Sequence, residues 1–193
     1  MVTLLPSRFP PADAAQAAAV EAAMRRWLER AVIGLNLCPF AKAVYVKDQV
    51  RIVVTGAGTT AELLEELAQE LTLLDQADPA LIDTTLLIHP QVLGDFLDFN
   101  DFLDDAERLL EGLELEGVLQ VASFHPQYQF AGTAADDMGN FSNRAPFPTL
   151  HLLREDSLDK AIEAFPDPEA IFGANIRRLE ALGPAGWDQL FKD

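Results

Sequence analysis

Between Val50 and Ser123 short apolar runs alternate with long amphipathic stretches, and this alternation limits the fold more than any other feature. Val50–Val54, Thr84–Ile88 and Val118–Ser123 have the length and β-branched content of buried strands. Between them, Leu63, Leu67, Leu71 and Leu74 recur at helical spacing behind a Thr59/Glu62 capping box. Phe99, Phe102, Leu103, Ala106, Leu110 and Leu113 do the same in the next interval. Strand–helix–strand repetition returns the chain in one direction, so the spacing predicts an α/β domain with a mostly parallel sheet and both helices on one face.

The flanks add helices at both ends. Asp13 with Gln16 three residues on starts a helix whose Val20, Met24, Trp27, Leu28, Ala31 and Leu35 share a face. Gly34, Asn36 and Pro39 end it. Val44–Val46 and Val50–Val54 around Lys47-Asp48-Gln49 read as a hairpin. Thr149–Leu153 reads as a strand and Ser157–Phe165 as a helix; a last helix runs from Asp167-Pro168 to Gly183-Pro184. A length of 193 residues suits one domain, with residues 1–12 an extended or mobile tail.

Lys and Arg number 14 against 31 Asp and Glu, a formal charge of −17. Such a surface repels phosphate backbones and anionic lipid heads, which argues against nucleic-acid and membrane partners. The apolar run around Ala31–Ala41 is too short to span a bilayer, and the first residues lack the pattern of a signal peptide. The single cysteine, Cys38, fits a reducing compartment, so the expected location is cytoplasmic.

Two histidines carry the functional argument. His89 in LLIHP and His125 in ASFHP each follow a strand and precede a proline. On parallel strands both imidazoles reach the carboxyl edge, where open α/β folds bind ligands. His151, in the strand after the long segment Phe124–Pro148, is placed to face the same crevice. His125 and His151 are the candidate acid/base residues, because imidazole titrates near neutral pH. His89, His125 and His151 together are also a candidate metal site of the open kind, for zinc or iron, although their spacing is not that of a local motif. A purely structural role for all three stays open.

Phe124–Pro148 has no helical or strand period, yet its five aromatic residues need burial, so it reads as an ordered loop. Within it Arg144 offers a rigid fork of donors for a small anionic substrate, with Asn143 and Tyr128 orienting the molecule and His89 beside it. Cys38, at a helix C-terminus, is expected to be buried and inert; Arg154 and Glu155 read as a structural pair. The expectation is a small-molecule enzyme. Its rivals are a non-catalytic ligand- or partner-binding protein and a metal-handling protein that uses Cys38 with histidines.

In order, VIGLNLCPFA, LLIHP, LQVASFHPQYQFAGT and NFSNRAPFPTLHLLRE resemble the bacterial family catalogued as domain of unknown function 1415, from about Trp27 to the last helix. The matching positions include Cys38, Pro39, Phe40, His125, Pro126, Tyr128, Asn143, Arg144, Pro146, His151, Arg154 and Glu155. The resemblance implies one concerted site and assigns it no chemistry.

Overall fold

The computed structural model describes residues 6–163 and 170–192. Residues 6–12, expected to be extended, run over helix α3 (Thr60–Gln76) and are clasped by Glu66. This carboxylate has no exposed surface. It accepts hydrogen bonds from Ser7 Oγ (2.8 Å), Arg8 N (3.0 Å), Phe9 N (2.9 Å) and Thr55 Oγ1 (3.1 Å), which together offset the cost of burying a charge.

Helix α1 (Ala14–Trp27) is capped by Asp13, whose side chain accepts from Ala15 N and Gln16 N. It continues as a π-helix over Leu28–Ile33. The predicted hairpin is not formed: Ala41–Val46 is a short helix, α2. Alternating valines suggest a strand there, but Ala41, Val44 and Tyr45 are the inward residues, at helical i, i+3, i+4 spacing, while Val46 is 70% exposed. A Schellman closure ends α2. Asp48 N donates to Tyr45 O and Gln49 N to Val44 O, with Asp48 in the left-handed region (φ 58°) that an aspartate tolerates better than most residues.

The strands are β1 (Val50–Val54), β2 (Thr84–Ile88), β3 (Leu119–Phe124) and β4 (Thr149–Arg154). Their order is β1-β2-β4-β3. The α/β class holds, but the sheet is mixed rather than mostly parallel. Only β1 and β2 pair in parallel; β4 is antiparallel to both neighbours. The reason lies in the connections. Helix α3 carries the chain back between β1 and β2, whereas segment 125–148, with a short 3-10 helix at Met138–Ser142 and no crossover helix, joins β3 to β4 and so reverses direction. Because β4 is inserted between them, β2 and β3 still point the same way without touching.

Helices α3 and α4 (Phe96–Gly112) cover one face together, as expected. Leu63, Leu67, Leu71, Phe99 and Phe102 pack there on Leu87, Leu150 and Leu152. On the other face α1 and the π-helix bring Val20, Met24, Trp27, Leu28 and Ala31 onto Leu86 and Ile88. Successive residues of β2 therefore feed opposite cores, which is why every residue of that strand is buried. Helix α5 is Glu155–Glu163. Helix α6 (Ala170–Gln189) breaks at Gly183 (φ 65°) before Pro184, as the sequence predicts. The predicted helix start at Asp167-Pro168, and residues 164 and 165 of the preceding helix, lie outside the described residues. Among the described residues no helix is long and apolar enough to cross a membrane.

Candidate functional site

The shared direction of β2 and β3 brings His89 and His125 to the same carboxyl edge. Phe99 of α4 lies between the two imidazoles, stacked at centroid distances of 5.6 Å to His89 and 5.1 Å to His125, each at 28°. Backbone groups engage both nitrogens of His125 and Nδ1 of His89. His89 Nδ1 donates to Val92 O (3.0 Å), since a carbonyl can only accept. His125 Nε2 donates to Leu93 O (3.2 Å), and its Nδ1 accepts from Gln127 N (3.0 Å). These bonds hold the tight segment 89–94 that enters α4, where Leu93 adopts φ 59°. Burial pushes the His89 pKa down to about 4, with a smaller lowering from nearby His125 and opposition from the Val92 carbonyl. Burial also lowers His125, against the raising influence of Leu93 O and Asp95. His89 Nε2 has no hydrogen-bond partner among the described residues.

His151 lies elsewhere. In register it sits opposite Leu86 of β2 and Ala122 of β3, and Leu86 belongs to the core under α1. Its ring packs on Phe124 at 5.7 Å, and Phe124 packs in turn on Trp27. The sheet thus separates His151 from His89 and His125, so these three do not converge on one ion. Among the described residues no three histidine, cysteine, aspartate or glutamate side chains are grouped as a metal would require.

What His151 borders is a cleft of about 650 Å³ between the sheet, α1, the π-helix, α2 and α5. Trp27, Leu28, Val32, Tyr45, Leu86 and Phe124 supply apolar walls. The π-helix matters locally: its wider turn presents Leu28, Val32 and Ile33 to the cleft, a departure from α-geometry often found beside functional sites. Asp83, Thr84 and Val50 place the cleft across the face and amino end of β1 and β2, rather than at the carboxyl edge.

His151 Nε2 lies 2.8 Å from Thr84 Oγ1, and Thr84 Oγ1 lies 2.6 Å from Leu152 O. A hydroxyl so close to a carbonyl must direct its one proton there. Thr84 is therefore an acceptor toward the ring, Nε2 carries the imidazole proton, and Nδ1 keeps its lone pair. No described protein group bonds Nδ1. Desolvation holds the His151 pKa down at about 4, so the ring is neutral at pH 7. Cys38 is half-buried on the same wall, not fully buried as its apolar neighbours suggest.

The polar residues of the long segment hold it in place. Asn143 Nδ2 donates to Ser123 O (3.2 Å), and Asn143 O accepts from His125 N (3.2 Å). Tyr128 packs against Phe96 and Phe130. Arg144 Nε donates to Tyr128 O (3.2 Å) and Nη2 to Ala135 O (2.5 Å), and the guanidinium lies 4.3 Å over Phe141. Arg144 also lines a second cleft of about 440 Å³ with Arg26, Trp27, Trp187 and Asp188. Among the described residues neither arginine is in an ion pair. Arg154 bonds carbonyls rather than pairing with Glu155. Its guanidinium bonds the oxygens of Leu74, Ala77 (2.7 Å) and Ile82 (3.3 Å), closing the C-terminus of α3.

Sequence reasoning missed Thr84, Trp27 and Asn140. Thr84 carried a signal: a polar residue on the same strand face as Leu86 needs a partner. Asn140 has no exposed surface and bonds Phe130 N, Thr133 Oγ1 and Ala134 O, contacts that depend on the folded loop.

Residues 19–189 match the family described as Protein of unknown function (DUF1415). No curated protein and no solved structure matches the chain.

Proposed function

The chain belongs to the DUF1415 family, and we propose that it binds a small molecule of largely apolar surface in the cleft beside His151. The observation that carries this reading is a cavity of about 650 Å³, walled by aromatic and aliphatic side chains, with one neutral imidazole whose Nδ1 has no partner among the described residues. Sites for small molecules are typically of this size, mostly apolar, with a few polar groups that fix orientation. Motif positions Cys38, Pro39, Phe40, His151 and Arg154 all line the cleft. A neutral His151 suits hydrogen bonding to a ligand better than charge pairing with one.

The neutral fluorophore N-phenyl-1-naphthylamine tests the reading. Saturable one-to-one binding is expected, weakened at least tenfold by Ala122→Leu, which adds bulk on the strand face beside His151. Binding that does not saturate, or that Ala122→Leu leaves unchanged in the folded variant, refutes it.

A second reading keeps an anionic ligand, in the cleft shared by Arg26 and Arg144. Its support is that neither guanidinium has a carboxylate partner among the described residues of a protein of net charge −17. Asp188 on the same wall opposes it.

A further inference from the structure

We infer that the ligand of the His151 cleft is uncharged and carries a hydroxyl on an apolar or aromatic body, and that this hydroxyl donates its proton to His151 Nδ1. The inference rests on the cleft being the binding site and adds the chemical class of the molecule.

The polar groups on the wall set that class. The Thr84 hydroxyl is committed to Leu152 O. Ser157 Oγ donates to Asp83 Oδ1 (2.7 Å). The Arg154 guanidinium gives its Nε and Nη2 to the carbonyls of Leu74, Ala77 and Ile82. Tyr45 donates its hydroxyl to Glu29 (2.6 Å). Each of these already has a protein partner; Trp27 Nε1 is unpaired among the described residues but has no accessible surface, and the Cys38 thiol is only weakly polar, so the ring nitrogen of His151 is the strong acceptor left unfilled. An acceptor lined by apolar groups selects a ligand that supplies a donor, because a ligand without one leaves the lone pair desolvated and unpaired.

Charge is selected against from both sides. A carboxylate entering the cleft would meet the Asp83 carboxylate and the Nδ1 lone pair, both repulsive, while the Arg154 charge already faces the carbonyls at the end of α3 through its Nε and Nη2. An ammonium could donate to Nδ1 but would find no full counter-charge, because Asp83, the carboxylate on the wall, already accepts from Ser157. Moving either ion into apolar surroundings without a full counter-charge costs more than one contact returns.

Four probes of one shape separate the cases: naphthalene, 2-naphthol, 2-naphthoate and 2-naphthylmethylammonium, each titrated calorimetrically into the full chain. The expected order places 2-naphthol about three- to tenfold tighter than naphthalene, the yield of one neutral hydrogen bond, with both ions weaker than naphthalene. His151→Phe should bring 2-naphthol to the affinity of naphthalene. Should that variant not fold, nitrogen NMR of wild-type protein gives the same answer. Nδ1 is expected to be unprotonated in the free protein, with a resonance that moves on adding 2-naphthol but not naphthalene. A protonated Nδ1, or equal binding of naphthalene and 2-naphthol, overturns the inference while leaving the cleft as the binding site. Tightest binding by the ammonium moves the polar contact to Asp83 and also overturns it. Binding by none of the four removes the cleft reading and the inference together.

Discussion

Lowering the pH from 7 to 5 is expected to destabilise the fold through His89, and the size of the effect follows from its surroundings. The imidazole is fully buried, its Nδ1 proton is committed to Val92 O, and Nε2 has no partner among the described residues. Its pKa falls to about 4, against an ordinary value near 6.5 in the unfolded chain. A folded-state pKa below the unfolded one means that the unfolded chain takes up the proton first. The stabilisation is therefore complete above about pH 6.5 and is lost as pH falls toward 4. At pH 5 the unfolded histidine is favoured by a factor of about 30 and the folded one is scarcely protonated, which corresponds to roughly 2 kcal/mol lost from this residue. At pH 7 the same comparison gives only about 0.2 kcal/mol. Urea unfolding followed by tryptophan fluorescence reads this directly, because Trp27 is buried. The control is His89→Asn, whose side-chain amide occupies the place of Nδ1 and can still donate to Val92. Its fixed cost cancels when only the pH dependence is compared, and so do all carboxylates common to both proteins. The wild type should lose about 2 kcal/mol more than the variant between pH 7 and pH 5. Parallel pH dependences would show that His89 is not held neutral by burial.

Arg154→Met should cost at least about 2 kcal/mol in urea unfolding, because the carbonyls of Leu74, Ala77 and Ile82 that Nη2 caps are left without that donor in a buried place. A loss under 0.5 kcal/mol, on the scale of an ordinary surface substitution, would deny it that capping role. If the second cleft holds an anion, phosphate or citrate should raise the melting temperature of wild type and not of Arg26→Ala, which leaves the Arg144 bonds within the loop intact. Equal shifts in both proteins would end that reading.

The order of elements follows from local rules that act within a few residues. The Thr59/Glu62 box, the Asp13 cap, the leucine stripe of α3, the phenylalanine stripe of α4 and the Gly183-Pro184 break all lie where backbone chemistry requires them. The same rules placed His89 and His125 at one sheet edge, since two helical crossovers fix strand direction. Local rules failed at α2, where a run of valines fits a strand as well as a helix and packing against the π-helix decided. They failed again at the sheet order, because nothing near Thr149–Arg154 encodes which strands it will pair with; the hydrogen bonds of β4 are made to β2 and β3, far away in the chain. The site followed the sheet. Inserting β4 between β2 and β3 turns His151 to the face under α1, away from the other two histidines, and seats it on Thr84. Which nitrogen of His151 remains free is thus set by a hydroxyl 67 positions distant, a fact that only the tertiary structure holds.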